Sequence, residues 1–392
     1  MKTQVGIIGA GPAGLLLSQL LHHAGVENVV LESRSRAYVE GRIRAGVIEH
    51  GAAQTLIDAG LGARMQREGM VHRGFEIAFG GARRRIDLHG LTGRDIWVYG
   101  QHEVVKDMIA ARLALGGTIL FEAEARAIDA MTGRRPVIRF EAAGQADSLD
   151  CDFVAGCDGF HGIARAAIPA GAITVYERDY PFGWLGILAE APPASHELVY
   201  ARHPRGFALF SMRSPEITRL YVQCAPDEDI GEWSDARIWD ELHQRLEQGP
   251  GFRVNEGPIL QKGVTGMRSF VAAPMRHGRL FLAGDAAHIV PPTGAKGMNL
   301  AIADIRVLAR ALTAFYREGR EDLLESYSDT CLKRIWLAQR FSWWMTSMLH
   351  RFPDADPFQE KIQDAELDFV TRFPEGARAL AENYVGLPYD RV

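Results

Sequence analysis

Three glycines spaced as G-x-G-x-x-G, in Gly9-Ala10-Gly11-Pro12-Ala13-Gly14, are followed about 20 residues later by an acid, Glu32. Glycines in that pattern permit a tight turn and let backbone N–H groups approach a pyrophosphate, and the acid can accept hydrogen bonds from a ribose. The spacing points to a dinucleotide site; a purely structural glycine turn is the plainer alternative. A second set lies mid-chain. Ser211 and Arg213 stand two apart in one strand-like run and Arg219 and Tyr221 two apart in the next, so each pair shares a face. A hairpin centred near Glu216 would set Ser211 opposite Tyr221, bringing a guanidinium and two hydroxyls onto one carboxylate. An ordinary exposed polar face is the alternative here. By the same alternation Phe210 and Met212 point away from such a site.

The elements that must carry these residues are legible as periodicities. Apolar runs at 4–8 and 27–32 flank a helical pattern at 12–24, a strand–helix–strand unit implying parallel pairing. Helical patterns follow near 47–69 and 102–115, with strand-like runs at 74–79, 83–88, 117–122, 136–141 and 149–155. From 171 to 226 closely spaced β runs (184–189, 197–202, 206–212, 217–224) are separated by turns such as Ser214-Pro215-Glu216, which reads as an antiparallel sheet inserted into the first domain. A strand at Arg279 to Ala283 precedes Gly284-Asp285, and helical patterns dominate from 296 onward. The expected boundaries are 1–170 continuing at 266–315, then 171–265, then 316–392.

Composition narrows the function classes. The 392 residues hold 44 Lys and Arg against 49 Asp and Glu, a net charge of −5 that argues against a nucleic-acid or anionic-membrane binder. Four scattered cysteines form neither a disulfide framework nor a thiolate metal site, which fits a reducing cytoplasm. The apolar start from Val5 to Leu21 is broken by glycines and a proline and reads as mature fold rather than a leader or membrane span. Thirteen histidines include no His-x-x-x-His or His-Glu-x-x-His pattern, so no metal is expected. Glycine is the outlier, at 41 positions, a sign of turns and close ligand approach.

Two further segments, Cys157-Asp158-Gly159-Phe160-His161-Gly162-Ile163 and Gly284-Asp285-Ala286-Ala287-His288, each follow an apolar strand. With the N-terminal glycines they resemble, in order, the three-part signature of the flavoprotein aromatic hydroxylases, the group A FAD monooxygenases. The resemblance implies an α/β fold: a Rossmann-like FAD-binding domain, an inserted antiparallel β-sheet substrate domain and a helical C-terminal region. It implies that Gly9, Gly11, Gly14 and Glu32 hold the ADP half of FAD, that Asp285 meets the ribityl and phosphate region, and that Asp158 supports the site. In Pro291-Pro292-Thr293-Gly294-Ala295-Lys296-Gly297-Met298-Asn299 the glycines would let backbone lie against a flat ring. There the helix dipole, with Lys296, would stabilise negative charge on a reduced flavin. Arg42, Arg44, Gly46, Val47, Gln101, Arg219, Gly297, Met298 and Asn299 match further flavin-side positions. No second glycine fingerprint exists for a nicotinamide cofactor, as in this family, which takes a transient NAD(P)H.

Within the family the likeness narrows to the hydroxylases of 4-hydroxybenzoate. It is carried by Gly41-Arg42-Ile43-Arg44-Ala45-Gly46, Val98-Tyr99-Gly100-Gln101, Arg205-Gly206-Phe207-Ala208-Leu209, the 284–299 segment, Phe341-Ser342-Trp343-Trp344-Met345 and Glu382-Asn383-Tyr384-Val385-Gly386-Leu387-Pro388-Tyr389. It implies that Ser211, Arg213 and Tyr221 bind the substrate carboxylate, that Tyr200 contacts its hydroxyl, and that Tyr384 and then His72 carry the proton to water. The Pro292 carbonyl would accept from the substrate. Arg34, Tyr38, Arg42, Arg44 and His161 match positions near the nicotinamide cofactor. Ser33 follows Glu32 where NADPH-preferring members carry arginine, so NADPH and NADH both stay open, with Arg34, Arg36 or Arg42 available to a 2′-phosphate. The expectation is a cytoplasmic homodimer using 4-hydroxybenzoate, O2 and NAD(P)H. A hydroxylase of 3-hydroxybenzoate or 4-aminobenzoate, and a flavin-bound regulatory protein without turnover, are the other readings.

Overall fold

The strand Val5–Ile8 is buried along its whole length, so it needs partners on both edges and cover on both faces. In the computed structural model, which describes residues 1–42, 44 and 46–389, it pairs in parallel with Asn28–Leu31 and with Phe153–Gly156. Thr118–Leu120 extends the sheet on one side, and Leu280–Leu282 with Arg276–His277 on the other. Helices Pro12–His23, Gln101–Ala114 and Gly297–Glu318 pack together beside this six-stranded sheet. Ile43 and Ala45, part of the Gly41 to Gly46 likeness, lie outside the described residues, as do Asp390, Arg391 and Val392.

The inserted sheet has eight strands and is wider than 171–265. In spatial order it runs His288–Ile289, Ile259–Ala273, Thr174–Glu190, Ile217–Cys224, Ala208–Met212, Val199–Ala201, Gly74–Phe79 and Ala82–Asp87. Two strands therefore come from residues 74–87. They are recruited because Val199–Ala201 is fully buried, and a buried edge would leave its backbone N–H and C=O groups unpaired; Gly74–Phe79 supplies them in parallel.

The expected 47–69 helix divides into the strand Val47–Ile48 and the helices His50–Asp58 and Ala63–Glu68. Gly60, at φ +73°, takes the left-handed conformation that ends the first helix. The run at 149–155 likewise divides between two sheets, Gln145–Asp150 in a three-stranded meander and Phe153–Gly156 in the parallel sheet.

Alternation on the eight-stranded sheet sorts the site from the support. Phe210, Met212, Leu220 and Val222 fall in one buried cluster with Ile238 and Leu242 of the helix Asp235–Leu246. Tyr200, Leu209, Trp184 and Tyr221 fall in the other, with Phe341 and Met345 of the helix Tyr327–Leu349 and Leu380 and Tyr384 of the helix Pro374–Tyr384. Each large apolar side chain buried this way contributes about 1.5–3 kcal/mol. The face bearing Ser211 is thus roofed by the C-terminal helices.

Candidate active site

The first glycine loop is shaped by two different demands. Gly9 has φ +104°, and a Cβ there would lie 2.4 Å from the Cys157 carbonyl oxygen; one at Gly14 would lie 2.0 Å from the Gly9 carbonyl oxygen. Both are required by the protein itself. A Cβ at Gly11 would meet nothing within 4 Å, so the protein's own packing does not demand glycine there, and space remains for a ligand's approach. Gly11 also caps the helix Pro12–His23 without any side-chain hydrogen bond, so the first N–H groups stay available to an anion. Glu32 accepts from Ala10 N at 2.8 Å and from Arg34 N at 2.8 Å, which fixes the acid at the strand end beside the loop.

Asp158 Oδ2 accepts from Ala164 N at 2.8 Å and holds the turn into the helix Ile163–Ala166, while its Oδ1 is buried without a partner. Burial pushes this carboxyl above its ordinary range. Asp285 is half exposed, 3.9 Å from Arg44, whose guanidinium burial holds below its usual value. Gly46 packs so tightly on Tyr99 that a Cβ would lie 1.9 Å from that residue's carbonyl oxygen, which brings the Val47 strand against the Val98 strand beside Gln101, the first residue of its helix. Gly297 opens the helix Gly297–Glu318 with nothing within 4 Å of an added Cβ, and Met298 packs on the large core. The open glycines, uncapped helix start and unpaired buried oxygen fit a dinucleotide such as FAD.

Two expected cofactor residues are committed elsewhere. Lys296 is ion-paired with buried Glu49 and also donates to the carbonyls of Asn383 and Tyr384. Its ammonium therefore lies against the C-terminal segment, its charge offset by an acid, rather than standing free to stabilise a ring; burial lowers its pKa and Glu49 opposes that fall. Asn299 donates to the Val47 and Ala295 carbonyls at 3.0 and 2.8 Å and accepts from Glu49 N at 2.9 Å, stapling the start of its helix to the Val47–Ile48 strand.

On the substrate side the hydroxyls of Tyr200 and Tyr384 are 2.7 Å apart and fully buried. Phe75 stacks on Tyr384 at 4.3 Å and meets Tyr200 edge-on at 5.5 Å. Burial pushes both phenols well above their ordinary pKa, so they stay neutral donors and acceptors. The Pro292 carbonyl already accepts from Ala295 N at 2.9 Å, which leaves its second lone pair for one further donor.

The hairpin expected to carry the carboxylate-binding residues differs from expectation by two residues in register. Its strands pair Ser211 with Arg219 and Leu209 with Tyr221, so the centre is Pro215, not Glu216. Pro215 is preset for the first corner of the turn, and the Ser214 hydroxyl accepts from Glu216 N and Ile217 N to close it. All four residues keep the same face. Arg213 donates to the Met212 carbonyl at 2.8 Å and to Ser211 Oγ at 3.4 Å, but its Nε is buried without a partner, and among the described residues no acid pairs with it. Burial lowers its pKa, and with no acid beside it the site is short of one negative charge. Arg219 stacks over the Tyr221 ring at 5.1 Å, with a buried, unpartnered Nη1.

His72 does not stand at an exposed outlet. It is 2% exposed, neither ring nitrogen has a partner, and burial pulls its pKa down to about 4. The nicotinamide candidates are at the surface: Arg34 stacks on half-exposed Tyr38 at 5.5 Å, Arg42 is exposed, and exposed His161 meets Phe160 at 5.0 Å. Glu49, Trp184, Thr346 and His350 were not singled out from sequence, where an acid after an apolar pair, an aromatic in a β run and a histidine at a helix end carry no chemical signal.

Residues 2–342 match the FAD binding domain family. The chain is 48% identical over 391 residues to the p-hydroxybenzoate hydroxylase of Acinetobacter baylyi, an alignment covering 100% of this chain and 96% of that protein. It is 26% identical to a probable NADH-specific resorcinol 4-hydroxylase of Rhodococcus jostii, over 82% of this chain and 61% of that one. The crystal structure of a p-nitrophenol 4-monooxygenase from Pseudomonas putida superposes with a TM-score of 0.84 over 99% of both chains at 21% identity, a likeness of fold.

Proposed function

Because the chain belongs to the FAD-binding family of flavoprotein aromatic hydroxylases, we propose that it converts 4-hydroxybenzoate, O2, NAD(P)H and a proton to 3,4-dihydroxybenzoate, NAD(P)+ and water. The observation that carries the substrate is a single cross-strand row. Gly186 pairs with Tyr221, Tyr221 with Leu209, and Leu209 with Tyr200. Tyr221 and Tyr200 are therefore two strands apart on one face, about 10 Å. The buried hydroxyl pair sits at the Tyr200 end, and beside Tyr221 lies the buried guanidinium of Arg213, which no described acid pairs, on the same face four residues along the strand from Leu209. A benzene ring with a carboxylate and a hydroxyl at opposite positions supplies what each end lacks.

Gly9, Gly11 and Gly14 with Glu32 would hold the nucleotide half of FAD, and Asp158, Asp285 and the backbone of the segment from Lys296 to Asn299 would frame the rest. Bound FAD would supply the redox chemistry, the two-electron reduction by NAD(P)H and the activation of O2. The protein's own residues do the remainder. Arg213 neutralises the carboxylate and, with Tyr221, fixes it; Ser211 joins them once its hydroxyl turns from the Arg219 carbonyl, to which it donates at 2.8 Å. Tyr200 takes the phenol proton while giving its own to Tyr384, which in the same movement passes its own on toward water, so no tyrosinate forms; the resulting phenolate is electron-rich beside its oxygen, where hydroxylation occurs. The burial of this face under the C-terminal helices excludes water.

His72 as a further proton acceptor, and Arg34, Tyr38, Arg42, Arg44 and His161 as a nicotinamide surface, rest on the family likeness. So does a cytoplasmic homodimer, for which exposed Trp336 and Trp343, two turns apart on one helix, offer an apolar face. No described helix is long and apolar enough to cross a membrane. Flavin reduction followed by stopped flow with NADH and with NADPH, with and without 4-hydroxybenzoate, tests the reading. Reduction should accelerate when the acid is present, and O2 uptake should match product formed. Tight coupling only with 3-hydroxybenzoate or 4-aminobenzoate would overturn the substrate assignment.

A further inference from the structure

We propose that Thr293, Thr346, His350 and Trp184 form a hydrogen-bonded brace that fixes the length of the aromatic-acid pocket, with His350 as its positioning residue. The inference rests on the substrate reading above. At one end Thr293, in the Pro292–Gly294 turn, shares a 3.0 Å hydroxyl hydrogen bond with Thr346 of the helix Tyr327–Leu349. One turn on, His350 Nδ1 lies 3.0 Å from the Thr346 carbonyl. A carbonyl only accepts, so Nδ1 carries the hydrogen and Nε2 is left as an acceptor. The Trp184 indole N–H fills it at 2.7 Å.

Trp184 then leans on Tyr221 at 4.8 Å, at the carboxylate end of the pocket. The chain thus links the turn whose Pro292 carbonyl the substrate reading sets against the phenol to the tyrosine that it sets against the carboxylate. Thr293, Thr346 and His350 are 0% exposed and Trp184 is 4% exposed, so water does not compete for these bonds. The imidazole is held flat between Phe182, at 4.7 Å and 7°, and Phe207, at 4.4 Å and 25°. Burial keeps His350 neutral, with a pKa near 3, so it remains an acceptor at any working pH. A pocket tied at both ends to one helix cannot lengthen to admit an extra methylene without breaking a buried hydrogen bond.

The test compares kcat/KM of the holoenzyme for 4-hydroxybenzoate and for 4-hydroxyphenylacetate, one methylene longer. The unaltered enzyme should favour the benzoate by about 10- to 200-fold, the usual worth of a methylene in a shaped pocket. In His350→Phe, which removes the acceptor, and Thr346→Val, which keeps shape and removes only the hydroxyl, that ratio should fall at least about fivefold. His350→Gln, which can both accept from the indole and donate to the carbonyl, should restore much of it. Thr346→Val keeps the test decisive if His350→Phe does not fold. A ratio unchanged in FAD-retaining variants, or kcat/KM lost equally on both acids, would overturn the brace alone. No hydroxylation of either acid by the unaltered enzyme would overturn the functional reading beneath it.

Discussion

Replacing Arg213 by methionine should weaken 4-hydroxybenzoate binding without destabilising the ligand-free protein. The guanidinium is buried, its Nε lacks a partner, and no described acid neutralises it, so the free protein carries an uncompensated desolvation penalty that a carboxylate would relieve. Two opposite charges about 4 Å apart, at an effective dielectric of about 20, attract by about 4 kcal/mol, and removing one partner of a buried ligand pair typically costs about 2–5 kcal/mol. At tenfold per 1.4 kcal/mol, Kd should rise roughly 30- to 3,000-fold. Methionine keeps the apolar stem while discarding the charge, so the melting temperature of the ligand-free holoenzyme should hold or rise. Titrating the flavin absorbance of Arg213→Met with the acid and with the uncharged 4-hydroxybenzamide separates charge from shape, since the amide should lose far less. A change in the acid's affinity below about threefold, or an equal loss for the amide, would refute the charge argument and place the carboxylate elsewhere.

Tyr200→Phe should retain substrate binding but slow hydroxylation and divert reducing equivalents to hydrogen peroxide; rapid-quench product analysis checks it, and unimpaired hydroxylation would remove the tyrosine pair from the proton path. Gly14→Ala should impair folding, because its Cβ would lie 2.0 Å from the Gly9 carbonyl oxygen. Gly11→Ala, which meets nothing within 4 Å in the protein, should fold normally yet release FAD, and equal behaviour of the two in melting and flavin-retention assays would contradict this division. For His72, a folded pKa of about 4 lies below the ordinary value of 6.5, so the unfolded chain binds more protons in between. The neutral imidazole's contribution is present above pH 6.5 and is lost as pH falls toward 4, about 3 kcal/mol in all. His72→Leu should flatten that acid limb in denaturation measured from pH 7 to 4, and an unchanged limb would mean that His72 reaches water.

The sequence by itself determined the nucleotide half of the protein, because that chemistry is written in backbone. A strand, a glycine turn and a helix start lie within one short stretch, and their spacing survives without knowledge of distant contacts. It also determined which face Ser211, Arg213, Arg219 and Tyr221 share, since strand alternation is local. The register between those strands was not local: Pro215 decided it by fixing where the turn could close. Only the tertiary structure decided that residues 74–87 complete the substrate sheet, that Lys296 is spent on Glu49, and that His72 is buried. Each depends on a partner far along the chain, 247 positions away for Glu49 and Lys296. The same holds for Tyr200 and Tyr384, 184 positions apart, whose hydroxyls meet only because the C-terminal helices roof the sheet. Side-chain type and spacing specify what a residue can do; burial and long-range packing decide which of those capacities is left free for a ligand.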